Sequence, residues 1–378
     1  MKLNVFTKKL LRKIRGGRVT LRPESVSRGR VLLSYKTEPF VEYEAKEQFH
    51  TNIWECREIA RIFLKLGYMV DVIDWFNRSW KPKKKYRYCV DLGLNLERME
   101  PLLGSGCPKI FHATTSHWLF NNNAEQQRLL ELQKRRGVLL RSRRSLAPNS
   151  AIEHADFCTL LGNEVTESTY AFAKKKICRI PISTTHTYSF PENRDFEKAK
   201  KSFVWLGGVG MVHKGLDLAL EAFARLPEYR LFVCGDVAAE KDFEDAYRKE
   251  LYDTENIKTL GKVDVGSNLF KSLVSTSATL VHPSCSEGQS GSVIVSMHAG
   301  LIPVVSRNSG VTVGDFGILI EKETVEGMAQ AIQRIATMPS RELEERARKA
   351  WQYAREHHTR ERFSEEFTKF VTMLETGN

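Results

Sequence analysis

Apolar residues along the chain fall into short runs, alternating with longer stretches where they recur every third or fourth position. Residues 31–35 (VLLSY) read as a buried strand. Residues 52–66 read as a helix with Ile53, Cys56, Ile59, Ala60 and Phe63 on its inner face; Gly67 stops it, and 69–75 (MVDVIDW) form the next strand. Further strands are predicted at 87–91, 109–113, 157–161 and 176–180, and a helix at 123–136. The second half repeats the rhythm, with strands at 202–206, 230–234, 256–260, 278–282, 302–305 and 317–320. Its helices are predicted at 215–225, 239–251, 266–274, 291–299 and 324–336, followed by 341–356 and 360–375, where Phe363, Phe367, Phe370 and Val371 form an apolar stripe. Strands alternating with helices imply parallel sheets covered on both faces. The weakly periodic segment 183–200 marks a junction. The expected fold class is α/β, with two Rossmann-like domains facing a cleft.

A length of 378 residues accommodates two such units. The expected organisation is a basic segment over 1–30, a first domain over 31–190, a second over 191–355 and a terminal helical segment over 356–378. No apolar run approaches a membrane span, and no apolar signal segment opens the sequence, so a cytoplasmic location is expected. Seven dispersed cysteines suit a reducing compartment. No short-range cluster of metal ligands occurs, and the adjacent His357 and His358 are expected to be exposed and structural.

Charge alters this picture. The net +12 is concentrated early: residues 1–30 hold ten Lys or Arg against the single acid Glu24, whereas acids outnumber bases beyond residue 190. Within 1–15, Leu3, Phe6, Leu10 and Ile14 share a helical face surrounded by lysines and arginines. Such a segment can lie on an anionic membrane surface, remain a solvated arm or pack on a partner. The run 134–144 (KRRGVLLRSRR) either lines an approach for an anionic acceptor or solvates the surface. No zinc-finger spacing, aromatic RNA-binding motif or basic zipper accompanies the charge, which argues against nucleic acid as a partner.

Two loops carry candidate ligand chemistry. In 203–217 (FVWLGGVGMVHKGLD) a strand runs into Gly207, Gly208 and Gly210, and Lys214 precedes a helix. Glycines admit a ligand close to the backbone, successive N–H groups can form an anion nest, and lysine suits phosphate oxygens. In 282–300 (HPSCSEGQSGSVIVSMHAG) a strand leads through Glu287 and Gly288 to a helix start at Ser290, Gly291 and Ser292, where free N–H groups favour phosphate. Glu287 can hold a sugar hydroxyl, orient Lys214 or cap backbone donors. Both loops follow strands, at the usual ligand edge of an open α/β sheet.

The segments GGVGMVHKGLDLALEAF (207–223) and PSCSEGQSGSVIVSMHAGLIPVVS (283–306) resemble the retaining GT-B glycosyltransferases of family 4, the glycogen-synthase-like group. SYKTEPF (34–40) and NLERMEPLL (95–103) resemble a bacterial subset that builds surface glycans. The resemblance implies metal-independent transfer of a sugar from a nucleoside diphosphate sugar to a glycan or lipid-linked acceptor, with retention of configuration, no bound cofactor and a terminal helix crossing back to the first domain. It also implies that Lys214 and Glu287 act at the donor diphosphate and sugar, and that an acceptor-domain histidine contacts the donor sugar, with His117 and His112 as candidates. His50 could touch the acceptor or cap backbone; His213 shapes the phosphate loop. The chain departs from the family at Val209 or Gly210, where the motif carries an arginine, and at Val295, beside Ser296, where it carries a second glutamate. Two other readings stand beside this one: an epimerase-like enzyme acting on a nucleotide sugar, and a non-catalytic glycan- or nucleotide-binding protein.

Overall fold

The computed structural model describes residues 17–41 and 50–376. The amphipathic pattern of 1–15 therefore lies outside the described residues.

The first sheet contains seven strands: β1 (Arg18–Leu21), β2 (Arg30–Tyr35), β3 (Met69–Asp74), β4 (Tyr88–Asp91), β5 (Lys109–Ala113), β6 (Phe157–Leu160) and β7 (Ile177–Arg179). They lie in the order β1-β3-β2-β4-β5-β6-β7, all parallel except β1, which runs antiparallel to β3. The ordered structure thus starts before Val31. β1 was hidden inside the basic segment because RVTL is a half-exposed edge strand whose arginine reaches buried Asp71.

The second sheet holds β8 (Ser202–Leu206), β9 (Arg230–Cys234), β10 (Ile257–Gly261), β11 (Thr279–His282), β12 (Ile302–Val305) and β13 (Ile318–Leu319). Its order is β10-β9-β8-β11-β12-β13, and every pairing is parallel. Strand order reverses between β8 and β11. At such a switch point the loops leaving the two strands diverge and open a crevice. The glycine- and serine-rich loops 207–215 and 283–290 are the two that emerge there.

Two helical predictions change. The helix predicted over 123–136 begins a turn and more earlier and spans Trp118–Arg136. The one predicted over 239–251 breaks into helix Lys241–Ala246 and a wider turn over Lys249–Asp253. Helix Leu96–Leu103, with Pro101 inside it, lacked a clear periodic signal.

The terminal helices serve different domains. Helix Ser340–His357 packs on helix Gly291–His298 of the second domain. Helix Arg360–Thr376 returns to helix Thr51–Lys65 of the first, with Phe363 edge-on to Trp54 at 5.8 Å and Phe367 edge-on to Phe63 at 6.5 Å. Glu375 near its end accepts hydrogen bonds from the Tyr68 and Tyr88 hydroxyls at 2.7 and 2.6 Å. At the crossover His358 is buried, correcting the expectation of an exposed pair, and its carbonyl faces His298 Nε2 at 2.9 Å; His357 alone is exposed. No helix among the described residues is long and apolar enough to cross a membrane.

A candidate anion site at the seam between the domains

The two loops are bound into one body. His213 is the fastener: its Nε2 lies 2.6 Å from the Ser286 carbonyl, while its own carbonyl accepts from Cys285 N at 2.8 Å. Burial, with Lys214 and Arg144 adding to it and Glu287 opposing it, lowers the His213 imidazole to about 4. A neutral ring facing a carbonyl carries its proton on Nε2. Gly215, in the left-handed region at φ +72°, permits the close approach, since a Cβ there would meet the Pro283 carbonyl oxygen at 2.3 Å.

Lys214 and Glu287 meet on this platform, with Nζ and Oε1 2.5 Å apart. Ser284 Oγ donates to the same carboxylate oxygen at 3.2 Å, and His282 Nε2 lies 3.7 Å away. Burial disfavours the Glu287 carboxylate, but the Lys214 ammonium together with His282 and His213 outweighs it and holds the group well below the usual carboxylate range. Glu287 is therefore ionised at neutral pH and unsuited to donating a proton. Among its anticipated roles, orienting Lys214 is the one this geometry displays.

The helix start keeps its free donors. Ser290 is the N-cap residue of helix Gly291–His298, but its hydroxyl turns to His282 Nε2 at 3.0 Å instead of capping. The N–H groups of Gly291, Ser292 and Val293 have no intrahelical acceptor, and Gly291 and Ser292 are partly exposed. Space for a ligand exists at Gly208, where a Cβ would meet nothing within 4 Å, and at Gly291, where only Ile182 comes near.

The other glycines do different work. A Cβ at Gly207 would strike the Trp205 ring at 2.5 Å. One at Gly288 would meet the carbonyls of Thr114 and Leu161 at 2.3 and 2.6 Å, so Gly288 admits the first domain, not a ligand. The expected anion nest is also partly filled from within. Gly207 N donates to Cys234 O at 3.0 Å, and the buried Glu240 carboxylate accepts from Gly210 N at 2.5 Å and Met211 N at 3.2 Å. Sequence reasoning missed Glu240 because it placed that residue on a continuous helix.

The histidine candidates separate. His112 is not open to the cleft: it sits fully buried at the penultimate position of β5, with Nδ1 2.8 Å from Thr159 Oγ1 and its ring edge-on to Tyr35 and Phe367. Burial lowers it to about 4. His117 is the N-cap residue of helix Trp118–Arg136, half-buried against Tyr170 and Phe172. It stands beside the seam, because neighbouring Ser116 touches Ser286 across it, Oγ to Oγ, at 2.5 Å. His50 caps helix Thr51–Lys65 by accepting from Asn52 N. Its ring is accessible to water on one side yet surrounded by protein on the other. That enclosure, then the charges of Lys36, Arg144 and Lys214, lower it to about 4.

The basic run 134–144 is neither an open approach nor a merely solvated surface. Helix Trp118–Arg136 and the strap after it lie on the second domain: Arg135 pairs with Asp217 at 2.8 Å, Arg136 with Glu250 at 2.5 Å and Arg143 with Asp242 at 2.5 Å. Arg128 adds a bond to the Pro283 carbonyl and an ion pair with Glu323. A cavity of about 450 Å3 lined by Glu197, Lys198, Lys201, Ser202, Glu228 and Arg230 lies near the opposite, amino ends of β8 and β9, away from these groups. Among the described residues no three His, Cys, Asp or Glu side chains group as metal ligands would.

A crevice with free helix-start N–H groups thus lies at the switch point of one Rossmann-like domain, roofed by a second to which the terminal helix returns. Residues 200–338 match the family model described as Glycosyl transferases group 1. Sucrose-phosphate synthase from Thermosynechococcus elongatus superposes with a TM-score of 0.63 at 14% identity, over 92% of this chain and 99% of that one. HepE from Anabaena, solved with UDP and glucose, gives 0.55 at 10% identity over 91% and 99%. The fold is GT-B. A TarM variant of S. aureus, solved with Fondaparinux, alpha-GlcNAc-glycerol and UDP, gives 0.52 at 14% identity over 75% of this chain; the chain spans only 54% of that protein's length. No curated protein sequence matches the chain. Within the GT-B frame, the 200–338 match covers both loops and the Lys214–Glu287 pair.

Proposed function

We propose that the protein is a glycosyltransferase that moves a sugar, most simply a hexose, from a nucleoside diphosphate sugar to a glycan or lipid-linked acceptor, with retention of configuration and without a metal ion. The observation that carries this reading is the Lys214–Glu287 pair, set between an open glycine and an uncapped helix start at the switch point of the second sheet. When the anomeric C–O bond breaks, its electron pair passes to a phosphate oxygen. The N–H groups of Gly291, Ser292 and Val293 and the Lys214 ammonium can stabilise that charge in a partly dehydrated crevice. The acceptor hydroxyl supplies the new C–O bond. Retention brings it in on the face from which the diphosphate leaves, where a phosphate oxygen can take its proton.

Glu287 holds Lys214 in aim, and Ser290 and Ser292 border the same crevice. His117, beside the Ser116–Ser286 contact, is our choice of acceptor-side residue near the reacting carbon. The basic amphipathic sequence of residues 1–15 supports placing the reaction at an anionic membrane face on the cytoplasmic side, where surface glycans are assembled.

Nucleotide-sugar donors tested by ligand-induced thermal shift should include at least one that raises the melting temperature in EDTA, and turnover of that donor should persist with the chelator present. Turnover abolished by EDTA and restored only by a divalent ion would overturn the metal-free mechanism.

A further inference from the structure

The crevice as built from its two loops is short of positive charge. The Lys214 charge is shared with Glu287 at 2.5 Å, and the buried Glu240 carboxylate occupies the N–H groups of Gly210 and Met211. A departing diphosphate carries at least two negative charges, more than one lysine shared with a carboxylate balances.

The strap supplies a further cation. The arginines of the helix end and the strap differ in their partners: Arg135, Arg136 and Arg143 are each paired with an acid of the second domain, whereas the exposed side chains of Arg141 and Arg144 have no acid partner among the described residues, and of these two Arg144 lies at the glycine loop. Its stem lies across the glycine loop, because a Cβ on Gly210 would come within 2.5 Å of Arg144 Cγ and 3.1 Å of Cδ. Gly210 sits at φ +94°, a conformation that favours glycine, so the chain leaves this space to the arginine. The charge of Arg144 is felt together with that of Lys214 by both His50 and His213, so the two cations lie around the same rings.

The strap is also held in place. The Glu125 carboxylate, buried on helix Trp118–Arg136, accepts from Arg143 N at 2.9 Å, from Arg144 N at 3.0 Å and from the Ser142 hydroxyl. Asn121 Nδ2 donates to the Arg144 carbonyl at 2.9 Å. A backbone fixed on both sides leaves only the side chain's own freedom to be lost on binding.

We infer that Arg144, delivered from the first half of the chain across the seam, is a diphosphate-binding residue of the donor site, and that Glu125 is the residue that positions it. The inference rests on the proposed transferase reading and adds that the phosphate subsite is shared between the two domains. A guanidinium offers a planar fork of donors to phosphate oxygens, which an ammonium does not.

The test uses the full chain with inorganic pyrophosphate as probe, titrated by calorimetry, because pyrophosphate reports the subsite whatever nucleotide the donor carries. Arg144→Gln keeps part of the stem over Gly210 and removes the charge; it should weaken pyrophosphate binding roughly 10- to 100-fold at an unchanged melting temperature. Arg144→Lys should fall between it and the wild type. Arg141→Gln, which removes an equal charge from the same strap without contact to Gly210, should bind as the wild type does. Should Arg144→Gln bind like the wild type while Lys214→Ala does not, Arg144 is no part of the site and the transferase reading stands. Equal weakening by Arg141→Gln and Arg144→Gln would reduce the effect to general electrostatics and overturn the inference. A wild-type protein that fails to bind pyrophosphate would remove the diphosphate site itself, and the inference with it.

Discussion

Lys214 and Glu287 lie 73 positions apart in the chain, yet they form one ion pair because His213 and Gly215 bring their loops together. The account asks different things of the two residues. Lys214→Ala removes a charge that would strengthen its contact as the diphosphate departs. The expected cost is about 2–4 kcal/mol, hence roughly 30- to 1000-fold in rate. Glu287→Gln leaves the lysine in place but unaimed. It should bind free nucleoside diphosphate almost normally and transfer sugar slowly. A variant with normal turnover and a lower melting temperature would instead make Glu287 a loop-stabilising residue. Kinetics and melting curves on both variants separate these outcomes. This pair was legible in the sequence because loops of small residues carrying a lysine and a glutamate stand out after apolar strands. Glu125, Arg144 and Glu240 were not legible: their roles depend on a strap and a loop that approach the glycines only in three dimensions. His112 misled for the opposite reason. Its position near a strand end suggested a cleft, and only the packing of Phe363 and Phe367 shows that this end is covered.

At the scale of elements, strands buried on both faces announce themselves as continuous apolar runs, and the predicted strands recur with ends displaced by a residue or two. The exceptions follow from exposure. β1 is a short edge strand among charges, and the opening turn of helix Trp118–Arg136 mixes exposed Leu119 and Phe120 with three asparagines, which masks its period. The terminal helix was readable from its stripe, and its destination follows from which aromatic residues that stripe meets. Phe367 is fully buried and contacts Phe63, Phe363 and Phe370. Phe367→Ala should destabilise the protein by about 3–5 kcal/mol in urea denaturation. A loss under about 1 kcal/mol would mean that the helix does not dock on the first domain as described.

The whole molecule is two sheets with their ligand edges meeting along a tight seam. Gly288 sits beneath the carbonyls of Thr114 and Leu161, Thr166 Oγ1 donates to the Gly288 carbonyl at 2.9 Å, and the arginine strap runs along one side. A donor bound to the second domain is thereby roofed by the first, which limits water and leaves the acceptor hydroxyl as the competing nucleophile. An enzyme that epimerises its nucleotide sugar and a protein that only binds it do not join the sugar to a second molecule, so the products separate them from a transferase. The decisive measurement is the stoichiometry of the wild-type reaction on a donor that shifts its melting temperature, with nucleoside diphosphate and new glycosidic bond quantified together and the anomeric configuration read by NMR. The expected result is one diphosphate released per bond formed, with the donor's configuration kept in the product. Diphosphate released without a new bond, an epimerised donor, or tight binding with no turnover would contradict it.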